Sequence, residues 1–124
     1  KAALNGDELI VHGNGEQTRS FTWVHDVIEY FYLLANKKLY GEIFNIGQTE
    51  EISIDNLAKL VIELTDSNSK VTYVPHEEVY GSKFEDPMRR TPSIDKIVSA
   101  TGYSPTMEIP DMIREIIKYK KINP

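Results

Sequence analysis

The chain has no cysteine, which excludes disulfides and thiolate chemistry and fits a reducing compartment. It has no apolar run approaching the length of a membrane span and no apolar secretory segment. We therefore expect a soluble, cytoplasmic protein with no membrane partner. Positive charge is not in excess: 14 lysines and arginines against 19 aspartates and glutamates leave a net charge of −5, which argues against a general nucleic-acid binder. Metal-ligating side chains are sparse. His76-Glu77-Glu78 has no second histidine or cysteine spaced to complete a site, so no metal is expected. His25-Asp26 makes an unsuitable catalytic pair, because neighbours on a helix diverge and no nucleophile block accompanies them.

What is present suffices for one folded unit. With 124 residues and 40% hydrophobic content, residues 1–124 are expected to form a single mixed α/β domain of short strands and about four helices. Such a domain buries roughly two thirds of the surface its unfolded chain exposes. Lys1-Ala2-Ala3-Leu4 reads as the last turns of a helix ended by Asn5-Gly6-Asp7. Residues 8–12 alternate as a short strand before the Gly13 and Gly15 turn, and residues 21–24 are extended. Val24, Val27, Ile28, Phe31, Leu34 and Ala35 then recur at helical spacing and predict a helix ending near Lys37-Lys38.

Residues 42–46 predict a strand closed by Gly47, with Asn45 satisfying backbone groups at its end. Ser53 is a natural N-cap for a helix whose stripe is Leu57, Leu60, Val61 and Leu64. Residues 70–74 predict a strand stopped by Pro75, which cannot donate to a ladder. Residues 75–92 carry little periodicity and read as a long loop, the kind of segment that often serves function. A short helix over 93–101 follows, with Ile94, Ile97 and Val98 inward and Gly102 just past its end. A last helix starts near Pro110 or Asp111 and offers Met112, Ile113, Ile116, Ile117 and Tyr119 as apolar contacts. Phe21, Trp23, Phe44 and the tyrosines are read as packing residues, and Asp26 as the acidic residue that suits a helix start.

The chemistry concentrates in Gly13-Asn14-Gly15-Glu16-Gln17-Thr18-Arg19-Ser20-Phe21-Thr22-Trp23-Val24-His25-Asp26, where one arginine stands between a glycine turn and a new helix. A guanidinium held there suits a phosphate. This block resembles one that opens the substrate-binding half of the nucleotide-sugar epimerases, dehydratases and decarboxylases of the extended short-chain dehydrogenase/reductase family. Gly41-Glu42-Ile43-Phe44-Asn45-Ile46-Gly47, Asp86-Pro87-Met88-Arg89-Arg90-Thr91-Pro92 and Thr101-Gly102-Tyr103-Ser104-Pro105 resemble further family blocks in the same order. The family's dehydratases often carry Arg-Pro-Gly-His-Asp where this chain has Asp86-Pro87-Met88, which leans toward a decarboxylase-like or epimerase-like relative.

The resemblance implies a small C-terminal lobe of a Rossmann-type enzyme that grips the diphosphate of a UDP- or dTDP-sugar, within a full-length enzyme that is a homodimer. It implies that Arg19 binds phosphate and that Arg90 is the second clamp. Arg89 would then face solvent or pair with Glu85 or Asp86, since neighbours on an extended segment point to opposite faces. Gln17 either bonds ribose or phosphate or shapes the turn, and His12 either lies near the nucleoside or is structural. Residues 77–90 are expected to act as a flap over the nucleotide.

The family also binds NAD and works through a Tyr-x-x-x-Lys pair. None of the seven tyrosines has a lysine four residues on, and Gly13-x-Gly15-x-x-Thr18 lacks the third glycine of a dinucleotide turn. The resemblance thus implies an NAD-binding N-terminal domain outside these residues, and no catalytic residue, NAD site or turnover in this chain alone. A non-catalytic nucleotide-sugar-binding or protein-interaction module is the alternative reading.

Overall fold

The computed structural model describes residues 1–81 and 86–123. Six helices and five short strands alternate: α1 (Ala2–Asn5), β1 (Leu9–His12), β2 (Thr18–Ser20), α2 (Val24–Lys37), β3 (Glu51–Ser53), α3 (Ile54–Thr65), β4 (Val71–Val74), α4 (His76–Tyr80), β5 (Arg89–Arg90), α5 (Asp95–Thr101) and α6 (Ile109–Ile122). The mixed α/β class is as expected; the helix count among the described residues exceeds four because it includes the short α1 and α4. The α4 turn lies in the stretch read as loop, where five residues are too few to show a helical period.

Two small sheets organise the strands. β1 and β4 pair in parallel, with Leu9 opposite Val71 and His12 opposite Val74. β2 is central to the second sheet, antiparallel to β3 and parallel to β5. The extended block after the glycine turn therefore forms its ladder at Thr18–Ser20, ahead of the residues expected to be extended. Residues 42–46 form no ladder among the described residues, which corrects the strand expected there. Their alternation is nonetheless used. Phe44 and Ile46 pack on the core while Ile43 is 85% exposed.

Helix ends follow local chemistry. The Ser53 hydroxyl accepts from the Asn56 amide at 3.1 Å, the cap expected for α3. Gly102 ends α5 in the left-handed region, its amide donating to the Val98 carbonyl at 2.7 Å.

One core cluster joins Tyr30 of α2 to Ile94 and to Ile97 of α5, with Leu34, Val98 and Tyr103 against it. A second layer packs α3 against α1 and α6 through Ala3, Ala58, Met112 and Ile113. α2 forms where the spacing predicts it. Its buried side carries Asp26 and Tyr30, with Leu34 against the core, whereas Val24, Ile28 and Phe31 of the apolar series are more than half exposed. Ile116 and Tyr119 of α6 are likewise exposed, so only the first half of that helix is buried.

Asp26 is the deepest polar group. It is 1% exposed, and its Oδ1 accepts from Tyr103 Oη at 2.5 Å, Thr106 Oγ1 at 3.0 Å and the Thr106 amide at 3.3 Å. The start of α2 is thereby tied to the segment before α6. The bond to Asp26 raises the Tyr103 phenol above its ordinary value, and burial does the same for Tyr30.

A paired-arginine candidate site

The register of the second sheet decides where the arginines go. Arg19 on β2 stands opposite Arg90 on β5, so the two side chains share one face of the sheet. Thr18 and Arg89, one residue earlier, share the other. The Arg19 guanidinium donates to the carbonyls of Thr18 (2.7 Å) and Pro87 (2.8 Å) and to the carboxylate of Asp86. The Arg90 side chain has no hydrogen bond or ion pair among the described residues. Asp86 therefore leaves one positive charge in excess at this pair, inside a chain whose net charge is −5.

A cavity of about 560 Å³ opens beside the pair, lined by Arg19, Arg90, Ser20, Thr22, Asn45 and Gly47 among others. Its floor is tight. A Cβ on Gly47 would lie 2.4 Å from Pro92 Cγ, so only glycine lets this backbone approach the proline. Asn45 donates to the Ser93 carbonyl at 3.2 Å, the backbone role expected of it.

Arg19 also borders a second cavity, of about 340 Å³, with His12, Gln17, His76, Tyr80 and Asp86 on its wall. His12 Nδ1 lies 2.9 Å from Tyr80 Oη. Gln17 is 5% exposed and donates to the His12 carbonyl at 2.9 Å, so it closes the turn between β1 and β2. The four expected site residues thus gather around Arg19, with Arg90 in one cavity and His12 and Gln17 in the other.

The neighbours of the pair are less legible in the sequence. Arg89 does not pair with Asp86, which Arg19 occupies; its Nε donates to both carboxylate oxygens of Glu51 on β3, at 2.7 and 3.0 Å. Glu85 lies outside the described residues, as does the 82–85 part of the expected flap. Glu51 also accepts from Thr18 Oγ1 at 2.9 Å and from Thr91 Oγ1. These bonds, that from Thr91 foremost, hold its carboxyl below the usual glutamate range. The sequence offered Asp86 to Arg89 rather than to Arg19, and nothing local marked Glu51.

The Gly13 and Gly15 turn runs into β2 rather than into a helix, and the first amides of α3 beside it are taken by the carbonyls of Gln17 and Gly15 at 3.0 Å, so it does not fit a dinucleotide pyrophosphate. Among the described residues no group of three or more acidic, histidine or cysteine side chains could hold a metal, and no helix is long and apolar enough to cross a membrane.

The family model described as GDP-mannose 4,6 dehydratase matches residues 1–116. The chain belongs to this nucleotide-sugar epimerase/dehydratase family. It is 39% identical to the UDP-N-acetyl-alpha-D-glucosaminuronate decarboxylase of Bacillus cytotoxicus, over 96% of this chain and 37% of that protein. It is 31% identical to UDP-glucuronic acid decarboxylase 1 of Xenopus tropicalis, over 94% of this chain and 26% of that protein. The structure superposes with a TM-score of 0.86 and 25% identity on UDP-glucuronic acid 4-epimerase from Bacillus cereus in complex with UDP-glucuronic acid and NAD, covering 99% of this chain and 38% of that one. The chain thus spans 37% and 26% of the length of these two curated relatives, respectively.

Proposed function

We propose that residues 1–124 form the nucleotide-sugar-binding unit of an NAD-dependent epimerase, dehydratase or decarboxylase, and that Arg19 and Arg90 clamp the diphosphate of a UDP-sugar. The observation that carries this reading is the pair of in-register guanidiniums beside a 560 Å³ cavity. Two like charges on neighbouring strands are unfavourable until an anion lies between them, and a diphosphate supplies at least two negative charges and the oxygens for both forks. Asp86 occupies Arg19 until then and yields it to phosphate. The uridine nucleotide, rather than thymidine, is favoured by the UDP-sugar decarboxylases among the relatives.

Catalysis by this unit is positioning: it fixes the nucleotide so that the sugar ring meets chemistry supplied by other residues. NAD, when bound, would supply a transient oxidation of the sugar. In this reading residues outside this chain hold it, since the Gly13 and Gly15 turn leads into a strand. The homodimer belongs to the same proposal.

Titration of UDP into the chain, followed by NMR, tests the site. The expected affinity is about millimolar, near −4 kcal/mol, because part of the pocket wall is contributed by residues beyond this chain. Shifts should centre on residues 19–22, 45–47 and 90–92. Shifts confined to other surfaces would remove the assignment.

A further inference from the structure

Arg90 poses a problem that the diphosphate reading leaves open. It sits on a two-residue edge strand, directly opposite another arginine, and its side chain makes no hydrogen bond or ion pair among the described residues. Repulsion from Arg19 should push that side chain away, and so short a ladder resists weakly. The bonds from Thr18 to the Met88 carbonyl and from Arg19 to the Pro87 carbonyl hold the start of β5, and neither reaches the residues on either side of Arg90.

Glu51 occupies the place from which this can be done. It lies on β3 opposite Ser20, which puts its carboxylate on the face of the sheet that Arg19 and Arg90 leave. From there it reaches across β2 to β5, accepting from Thr18 on the central strand and from Arg89 and Thr91, the residues that flank Arg90 on either side. Its side chain is 16% exposed while that of Arg89 is 77% exposed, so the carboxylate is the covered anchor and the arginine comes to it. A strand with residues 89 and 91 fixed to one face presents residue 90 to the other. We infer that Glu51 is a positioning residue for anion binding: by holding Arg89 and Thr91 on one face of the sheet, it aims Arg90 into the cavity beside Arg19. This rests on the diphosphate reading and adds to it the group that keeps the second clamp in place without an anion.

The sign of the effect makes the inference testable. Glu51 is itself negative, so through charge alone its removal would strengthen the binding of an anion. Positioning requires the reverse. With inorganic pyrophosphate titrated into the 124-residue chain by calorimetry, Glu51→Ala should weaken binding roughly 5-fold or more, and it should cause no further loss in an Arg90→Ala background. Glu51→Gln keeps an oxygen for the threonines and should bind more tightly than the alanine variant. Should Glu51→Ala unfold the chain, Thr91→Val, neutral and nearly isosteric, should show a smaller loss with the same dependence on Arg90. Tighter binding by Glu51→Ala, a glutamine variant no better than alanine, or equal losses with and without Arg90 would overturn the inference. If Arg19→Ala abolishes binding while Arg90→Ala does not, the positioning role falls and the Arg19 site stands. If neither matters, the diphosphate reading falls as well.

Discussion

Replacing Asp26 by alanine should be among the most damaging single changes to this fold. All three of its donors converge on Oδ1, while Oδ2 has no partner among the described residues. Alanine would leave the Tyr103 hydroxyl and two groups of Thr106 without their acceptor at a position that is 1% exposed in the parent. The half-buried Tyr103 hydroxyl left without an acceptor costs about 1–3 kcal/mol, whereas the exposed Thr106 regains water; the void left by the carboxylate adds to the loss and the relief of its desolvation subtracts. We expect a net loss of about 1–3 kcal/mol, a large share of the roughly 5–15 kcal/mol that holds a domain together. For a chain of this size that corresponds to a fall of about 4–12 °C in melting temperature.

Asp26→Asn keeps Oδ1 and places its amide where no acceptor waits, so it should cost about 1 kcal/mol or less. Urea melts of both variants, with unchanged m, measure these losses. An ultraviolet titration adds a second readout, since the Tyr103 phenol, held above its ordinary value first by its bond to Asp26, should ionise at lower pH in the alanine variant. Alanine and asparagine variants that both melt with the parent would refute the reasoning.

Three further outcomes follow from the site. Asp86→Asn removes the counter-charge that Arg19 exchanges for phosphate, and it should tighten pyrophosphate binding about 2- to 5-fold by calorimetry. Gly47→Ala drives a methyl into Pro92 and should cost about 1–3 kcal/mol in a urea melt, with loss of the cavity beside Arg90. Because the Glu51 carboxyl titrates below its unfolded value, its contribution to stability is present above that value and is lost only as pH falls through the depressed folded one. Amide shifts of residues 89–91 should therefore hold steady from neutral pH down to the ordinary glutamate value of about 4.3 and change only below it.

Local chemistry was the most legible part of the sequence. The Ser53 cap, the Gly102 terminus and the inward face of Ile94, Ile97 and Val98 depend on neighbours a few residues away, and the structure agrees. On α2 the period marks the helix and leaves its facing open. Periodicity identifies an apolar face but not what covers it, and here Asp26, Tyr30 and Leu34 turn inward while Val24, Ile28 and Phe31 stay exposed. Residues 42–46 carry a strand's alternation, yet a ladder needs a partner strand that the described residues do not supply.

At the site, Arg19 and Arg90 were legible because motif blocks singled them out, but their being side by side depends on a parallel register 71 positions apart in the chain. The Glu51 links to Arg89 and Thr91 span 38 and 40 positions, with no local pattern to announce them. Gln17 illustrates the converse. The sequence offers it two roles, and the structure shows it buried with its amide donating to the His12 carbonyl across the turn.

The central claim is that two arginines of one sheet face hold a diphosphate. It is tested most directly by comparing UDP with uridine on the parent chain, Arg19→Ala and Arg90→Ala, by NMR titration. UDP should bind the parent measurably and uridine far more weakly. Each arginine variant should lose about 1.5–3 kcal/mol for UDP, the worth of a charge-assisted contact, and little for uridine. Equal affinity of the parent for UDP and uridine, or UDP binding that survives both substitutions unchanged, would contradict the account.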